Sequence, residues 1–325
     1  MRKSRNLITA VAIAGALLAS AAWAQSYPVK PVYWTVPGAP GSAPDIVARA
    51  LLPMVGKAMG QPQIIETRAG STGIAATDYV AKATPDGYRL LLASNSPLTL
   101  VKFTHANLPY DPQRDIAPIS LLAFMPQVLF VHASVPVTTF HELLALTKAS
   151  PGKLNYGSGG IGHALHFSME LLKLRTGLDV FHVPYKTIPG ALQDLIAGRV
   201  QLMLFNPSNQ LMAQVREGKV RALATTTEKR LPRLPDTPTF RELGVSNFEV
   251  PAWVGIGAPA GTPRELISRW NTEVTKAMNT PEMARIVEQL AMVSVAGTPE
   301  HMAETISREI KLWGTVATSI GIKPE

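Results

Sequence analysis

VYWTVPGAPGSAPDIVARALLPMVGKAM, residues 32–59, holds one complete structural unit. Its first five residues are β-branched, aromatic or apolar and read as a short strand. The next stretch, PGAPGSAP, cannot continue a strand, because its prolines lack amide donors and its glycines favour turns. From Asp45 to Met59 the apolar residues return at helical spacing. Ser42 is the expected N-cap, with Pro44 in the first turn and Asp45 completing an S-x-x-D capping box. Strand, glycine-rich loop, helix: this is half of a βαβ unit.

The same pattern repeats outward. QIIET (63–67) and YRLLLAS (88–94) are further strands, separated by RAGSTG and a helical run over 74–83. A second series follows: QVLFVHAS, KLNYGS, VFHVPY, VQLMLF and VRALATT read as strands, with FHELLALTKAS, HALHFSMELLKLRTG, GALQDLIAG and NQLMAQVREG as helices between them. Beyond residue 249 come an extended stretch, VPAWVGIGAP, and three helical runs, the first with Thr262 as expected N-cap and Pro263 at the first helical position. Strands alternating with helices predict an α/β fold with a parallel-rich sheet in each of two lobes. Extended crossovers near 124–133 and 248–257 place residues 25–125 and 248–325 in lobe 1 and 126–247 in lobe 2, with a cleft between them.

The first 24 residues are set apart. Arg2, Lys3 and Arg5 precede an apolar run, which ends in Ala22-Trp23-Ala24. That order is expected of a cleaved secretory signal peptide. Cleavage after residue 24 of 325 leaves 301 residues, and with three basic residues removed the formal charge falls from +8 to +5. A modest positive charge steers anionic small molecules. No cluster of Lys and Arg interleaved with aromatics suits a nucleic acid. The chain has no cysteine, which excludes disulfides, thiolate metal sites, cysteine nucleophiles and a lipid-modified N-terminal cysteine. An exported, untethered protein of the periplasm is expected, and nothing in the sequence asks for more than a monomer.

In open parallel sheets, ligands sit beyond the carboxyl ends of strands, where glycine-rich turns meet helix N-termini. Two loops answer that description: Pro37, Gly38, Ala39, Pro40, Gly41 and Ser42 running to Asp45, and Ser158, Gly159, Gly160, Ile161 and Gly162 running to His163. Their glycines let a ligand reach backbone amides, and the following helix dipoles favour negative charge. Ser94, Tyr185, Phe205 and Asn206 stand at other strand ends. Lys186, Thr187 and the polar residues after Ser94 are weaker candidates of the same kind. Enzyme chemistry finds little footing. Ser158 lacks the glycine two positions before it that a nucleophile elbow requires. His163 and His166 could touch one metal, but no H-E-x-x-H or acidic partner accompanies them. No cofactor motif is present. Met169, Leu171, Leu172 and Leu174 read as a core stripe.

The chain also resembles the Bug family, the extracytoplasmic receptors of tripartite tricarboxylate transporters. The resemblance is carried by TVPGAPGSAPDIVAR, ETRAGSTG, AKATPDGYRLL, LPYDPQRDIAPIS, GKLNYGSGGIG, HVPYK, GKVRALATTT, RLPRLPDTPTFRELG and APAGTP, over nearly the whole chain. It implies a two-lobed periplasmic binding protein of the Venus flytrap, type II-like kind. Such a receptor closes on a small carboxylate held between the two glycine loops and presents it to membrane subunits. A sensor that signals to a membrane histidine kinase would use the same lobes and stays open as an alternative. Four departures stand out. Gly38 and Ser42 replace an aromatic and a glycine of the family's first loop; Gly159, His163 and Ala164 replace residues of a serine-richer second loop; Thr187 replaces the glycine of Y-K-G. Gln201 and Phe205 stand where many relatives carry acids. The lost acids and the added Phe205 and Ile161 favour an aromatic or longer-chain acid over citrate or an acidic amino acid.

Overall fold

The computed structural model describes residues 27–37, 40, 42–68, 70, 72–246, 248 and 250–324. The leader at 1–24 therefore lies outside the described residues, as do Gly38, Ala39 and Gly41 of the first glycine loop.

Two sheets organise the chain. The first is built from β1 (Val32–Val36), β2 (Gln63–Thr67), β3 (Arg89–Ser94) and β4 (Ile116–Met125). The second follows as β5 (Val128–His132), β6 (Asn155–Ser158), β7 (Phe181–Pro184), β8 (Leu202–Phe205) and β9 (Val220–Thr225). The chain then returns to the first with β10 (Ala252–Pro259) and a two-residue β11 (Val293–Ser294). The strand orders are β11-β4-β10-β3-β1-β2 and β7-β6-β8-β5-β9. In each sheet three strands run parallel, β1 to β3 and β6 to β8.

Helices cover both faces, as parallel strands require. They are α1 (Ala43–Met59), α2 (Ile74–Ala81), α3 (Phe140–Ala149), α4 (Ala164–Thr176), α5 (Ile188–Ile196), α6 (Asn209–Arg216), α7 (Arg264–Met278), α8 (Pro281–Gln289) and α9 (Pro299–Ser319). The strands read accordingly. In β3, Leu90 and Leu92 enter a core with Trp34, Leu51 and Trp270, while Leu91 and Ala93 enter one with Trp253, Met302 and Ile306. In β5, Leu129 and Val131 pack with Tyr156 and Phe167, and Val128 and Phe130 with Met203 and Leu211. Helix α9 reaches both sheets. Its Met302 and Ile306 pack under the first, and its Trp313, Val316 and Ala317 under the second.

Several local expectations give way. Ser42 is the N-cap of α1, but its hydroxyl makes no cap bond, and Asp45 turns to accept from Arg49 Nε at 2.8 Å. The α7 helix begins at Arg264, and Thr262 does not cap it, because its hydroxyl donates to the Pro259 carbonyl at 2.7 Å. Leu174 is exposed rather than part of the core. Strand β4 was not read as a strand from the sequence, and it ends where the extended crossover over 124–133 was expected to begin. Pro118 masks it, and the ladder to β10 shifts register beside that proline's partner, Gly257. No helix among the described residues is long and apolar enough to cross a membrane.

Candidate functional site

The carboxyl ends of the parallel strands of both sheets open on one cleft of about 650 Å³. Pro37 enters from β1, Gly70 from β2, and Ser94, Asn95 and Ser96 from β3; the second sheet contributes Gly159 after β6, Lys186 and Thr187 after β7, and Phe205 and Asn206 at β8. The first residues or caps of four helices line it as well: Ser42 and Ala43 of α1, Gly73 of α2, His163 and Ala164 of α4, and Thr187 and Ile188 of α5. The leading N–H groups of a helix have no partner within it and carry the positive end of its dipole. Among the described lining residues there is one Lys and no Asp or Glu. The wall is built for negative charge.

Of the residues singled out from the sequence, Pro37, Ser42, Ser94, Gly159, His163, Phe205 and Asn206 come together here. The Ser42 hydroxyl is buried with no hydrogen-bond partner. His163 caps α4 by accepting from Leu165 N through Nδ1 at 3.1 Å. Burial and the nearby His166 lower its pKa to about 4, so the ring is neutral and Nε2 carries its proton. Asn206 donates through Nδ2 to the Leu290 carbonyl at 3.3 Å, joining the second sheet's edge of the cleft to the loop after α8. Phe205 stands in the wall beside Leu165, Ile188 and Pro189.

The others serve elsewhere. Pro40 is exposed and does not line the cleft, and Asp45 is buried against Arg49. Ser158 is fully buried, accepts from Gly160 N at 3.1 Å, and shares a 2.7 Å hydrogen bond with His182 Nε2. His182 stacks between Tyr156 and His166, at 4.8 and 4.2 Å between ring centroids. Burial drives its pKa down to about 3, with His166 and Lys173 adding to the shift. The serine that seemed poised for ligand is part of this packed histidine stack. Gly160 and Gly162 take left-handed φ values of 104° and 82°, and a Cβ at Gly162 would stand 2.8 Å from Thr104 Oγ1 of the opposite side. These glycines shape the turn and allow the approach of the two halves. Ile161 is 60% exposed and does not line the cleft. Tyr185 donates to Asp194 at 2.7 Å, away from the cleft. Gln201 bonds to the Gly198 carbonyl and the Asn155 amide, so of the two positions where the resemblance implied acids only Phe205 lines the cleft. No three His, Asp or Glu side chains among the described residues could hold a metal.

Several lining residues escaped the sequence reading, among them the polar Gln127. Gln127, in the link between β4 and β5, is 1% exposed. Its backbone is fixed to β9: its N–H donates to Thr226 Oγ1 at 3.1 Å, and its carbonyl accepts from Thr226 N at 2.9 Å. Its side-chain Oε1 and Nε2 are both buried without a partner. A buried polar group left unpaired costs about 1–3 kcal/mol. The signal was a lone polar residue inside LLAFMPQVLFV.

The model of the tripartite tricarboxylate transporter family receptor matches residues 47–322. A protein encoded in the tcbD–tcbE intergenic region of Pseudomonas sp. (strain P51) is 37% identical over 89% of this chain and 85% of its own length. BugT of Bordetella pertussis is 32% identical over 97% of each chain. Among solved structures, R. palustris Rpa4515 with adipate superposes with a TM-score of 0.81 at 33% identity, covering 92% of this chain and 100% of that one. MatC of Rhodopseudomonas palustris with bound malate gives 0.78 at 31% identity, covering 90% and 100%.

Proposed function

This chain belongs to the Bug family of tripartite tricarboxylate transporter receptors, solute-binding proteins rather than enzymes, and from that premise we propose that it captures a small carboxylate between its two sheets and presents it to the membrane subunits of a transporter. The cleft wall carries this reading: Lys186 and four helix N-termini, with no acid among the described lining residues. Two relatives of the same fold, one with adipate and one with malate, support it.

The carboxylate sits against Ser42 and the start of α1 on one side, and against His163 and the start of α4 on the other. A ligand that touches both sides stabilises the closed arrangement over an open one, and closure is what a membrane partner reads. The body of the solute meets Phe205, Leu165, Ile188 and Pro189, which favours an aromatic or longer-chain acid. The basic and apolar order of residues 1–24 supports the reading of a periplasmic receptor, and no cysteine is available for a lipid anchor.

Thermal melts against adipate, malate, citrate, aspartate, benzoate and phthalate, each beside its methyl ester, test the reading. An acid at about a hundred times its Kd stabilises by roughly 2.7 kcal/mol, a rise of several degrees for a chain of this size. Shifts with acids and none with esters are expected. Equal shifts with esters, or none with any acid, would overturn it.

A further inference from the structure

We propose that the crossover end of the cleft, centred on Asn95, recognises a hydroxyl carried on the body of the bound acid. The inference rests on the carboxylate reading and assigns the other end of the solute.

The cleft is electrically lopsided. The four helix starts that line it follow β1, β2, β6 and β7, and Lys186 also follows β7. Strand order places β3 on the crossover side of β1, next to β10, and β8 on the crossover side of β6, next to β5. On that side the lining residues from β3, β4, β8, β10 and the β4–β5 link include no charged side chain, and none of α1 to α9 begins among them. A carboxylate therefore belongs at the β1 and β6 end. A charge on the rest of the solute finds no partner at the other.

Asn95 is the polar group of the neutral end that a solute can reach. It lines the cleft and is 4% exposed. Its amide oxygen and nitrogen have no hydrogen-bond partner among the described residues, and neither is among the unpaired atoms that protein encloses. The little surface that Asn95 keeps thus includes its amide, and the space it borders is the cleft. Ser42 and Gln127 differ in this, since their unpaired polar atoms are shut in. The Ser94 and Ser96 hydroxyls on either side are open and unpaired like Asn95.

The chemistry names the group. An unpaired amide offers a donor and an acceptor whichever way it is turned. A methyl or plain phenyl end meets neither. A second carboxylate meets the donor alone and brings a charge that nothing at this end balances. A hydroxyl meets both, and sites that hydrogen-bond a substrate hydroxyl reject analogues without it. Neighbouring strands lie about 4.8 Å apart, so the hydroxyl stands roughly one strand spacing from the carboxylate, along a chain or across a ring.

Calorimetric titration of the chain from residue 25 onward tests this with three matched sets: butanoate, 4-hydroxybutanoate and succinate; hexanoate, 6-hydroxyhexanoate and adipate; benzoate, 3-hydroxybenzoate and isophthalate. In the best-bound set the hydroxy acid is expected to bind about tenfold more tightly than the other two, the difference between a buried polar pair met and one left open. In Asn95→Leu the ratio of hydroxy acid to plain acid should fall to about one. Asn95→Ala repeats the ratio if the leucine variant does not fold. A plain acid or diacid that equals the hydroxy acid in the unaltered protein overturns the inference and leaves the carboxylate reading standing. So does a ratio that survives substitution. Failure of every acid to bind removes the carboxylate reading, and this inference with it.

Discussion

Glu309 of α9 accepts a hydrogen bond from the Trp253 indole of β10 at 2.9 Å, and its other oxygen accepts from the Thr99 hydroxyl at 3.1 Å. The carboxyl is buried, and that burial raises its pKa to about 7 against the opposing pull of its donors. Between about 4.5 and about 7 the folded chain therefore keeps a proton that the unfolded chain has released. Stability falls as pH rises through that window and the loss is complete above it. Glu309→Gln keeps an oxygen for the indole and removes the titration. Its advantage over the unaltered protein should be absent at pH 4.5 and grow to roughly 3 kcal/mol by pH 8. Urea unfolding at four pH values measures it, and a difference that does not change with pH would contradict the assignment.

Gly159 and His163 depend on each other. A Cβ at residue 159 would stand 2.6 Å from His163 Cδ2 and 2.9 Å from Ile188 Cδ1. Gly159→Ser should cost about 1–3 kcal/mol through overpacking and weaken acid binding, because the displaced ring is part of the wall. Adding His163→Ser should restore most of the stability. A single variant that melts with the unaltered protein would show that the ring moves freely.

Phe205→Ala should lower stability by roughly 2 kcal/mol, below the usual range for a fully buried ring because the side chain is only half-buried. Its binding signature matters more. Aromatic acids should lose affinity by tenfold or more while short acids change little. Phe205→Asp restores a charge and should abolish binding of diacids first. Titrations of benzoate, adipate and malate on both variants distinguish a ligand wall from simple core packing.

Asn206→Ala removes the 3.3 Å hydrogen bond to Leu290 that joins the two halves. A net loss of about 1 kcal/mol should fall on closure, so acid binding weakens about fivefold and small-angle scattering of the ligand-free chain shows a larger radius of gyration. An unchanged radius with unchanged affinity would mean that the contact is incidental.

The βα alternation was readable because each parallel strand is bounded by a glycine-rich turn and followed by a helix of ordinary length. The location of the cleft followed from the same rule. What the sequence could not show was which way each polar side chain turns. Ser158 and Tyr185 sit at strand ends like true lining residues, yet His182 and Asp194 claim them. Ser42 is the reverse case: a capping residue by its position, with a hydroxyl that caps nothing. Gln127 was hidden because its place in the fold comes from Thr226, about a hundred positions away, which fixes its backbone. Pro118 concealed β4, since a proline in a central strand is tolerated only where the ladder is irregular, as it is here.

The position of β10 also sets the order in which the protein can be built. It lies between β4 and β3, so the first sheet stays in two pieces until the chain has been made past residue 259. The second sheet, contiguous from 128 to 225, can assemble earlier. During synthesis the nascent chain thus carries unpaired edges on β3 and on both sides of β4, which can pair with other chains. A holding chaperone has its natural target there, and a chain truncated before Ala252 is one that aggregates rather than one that folds by half.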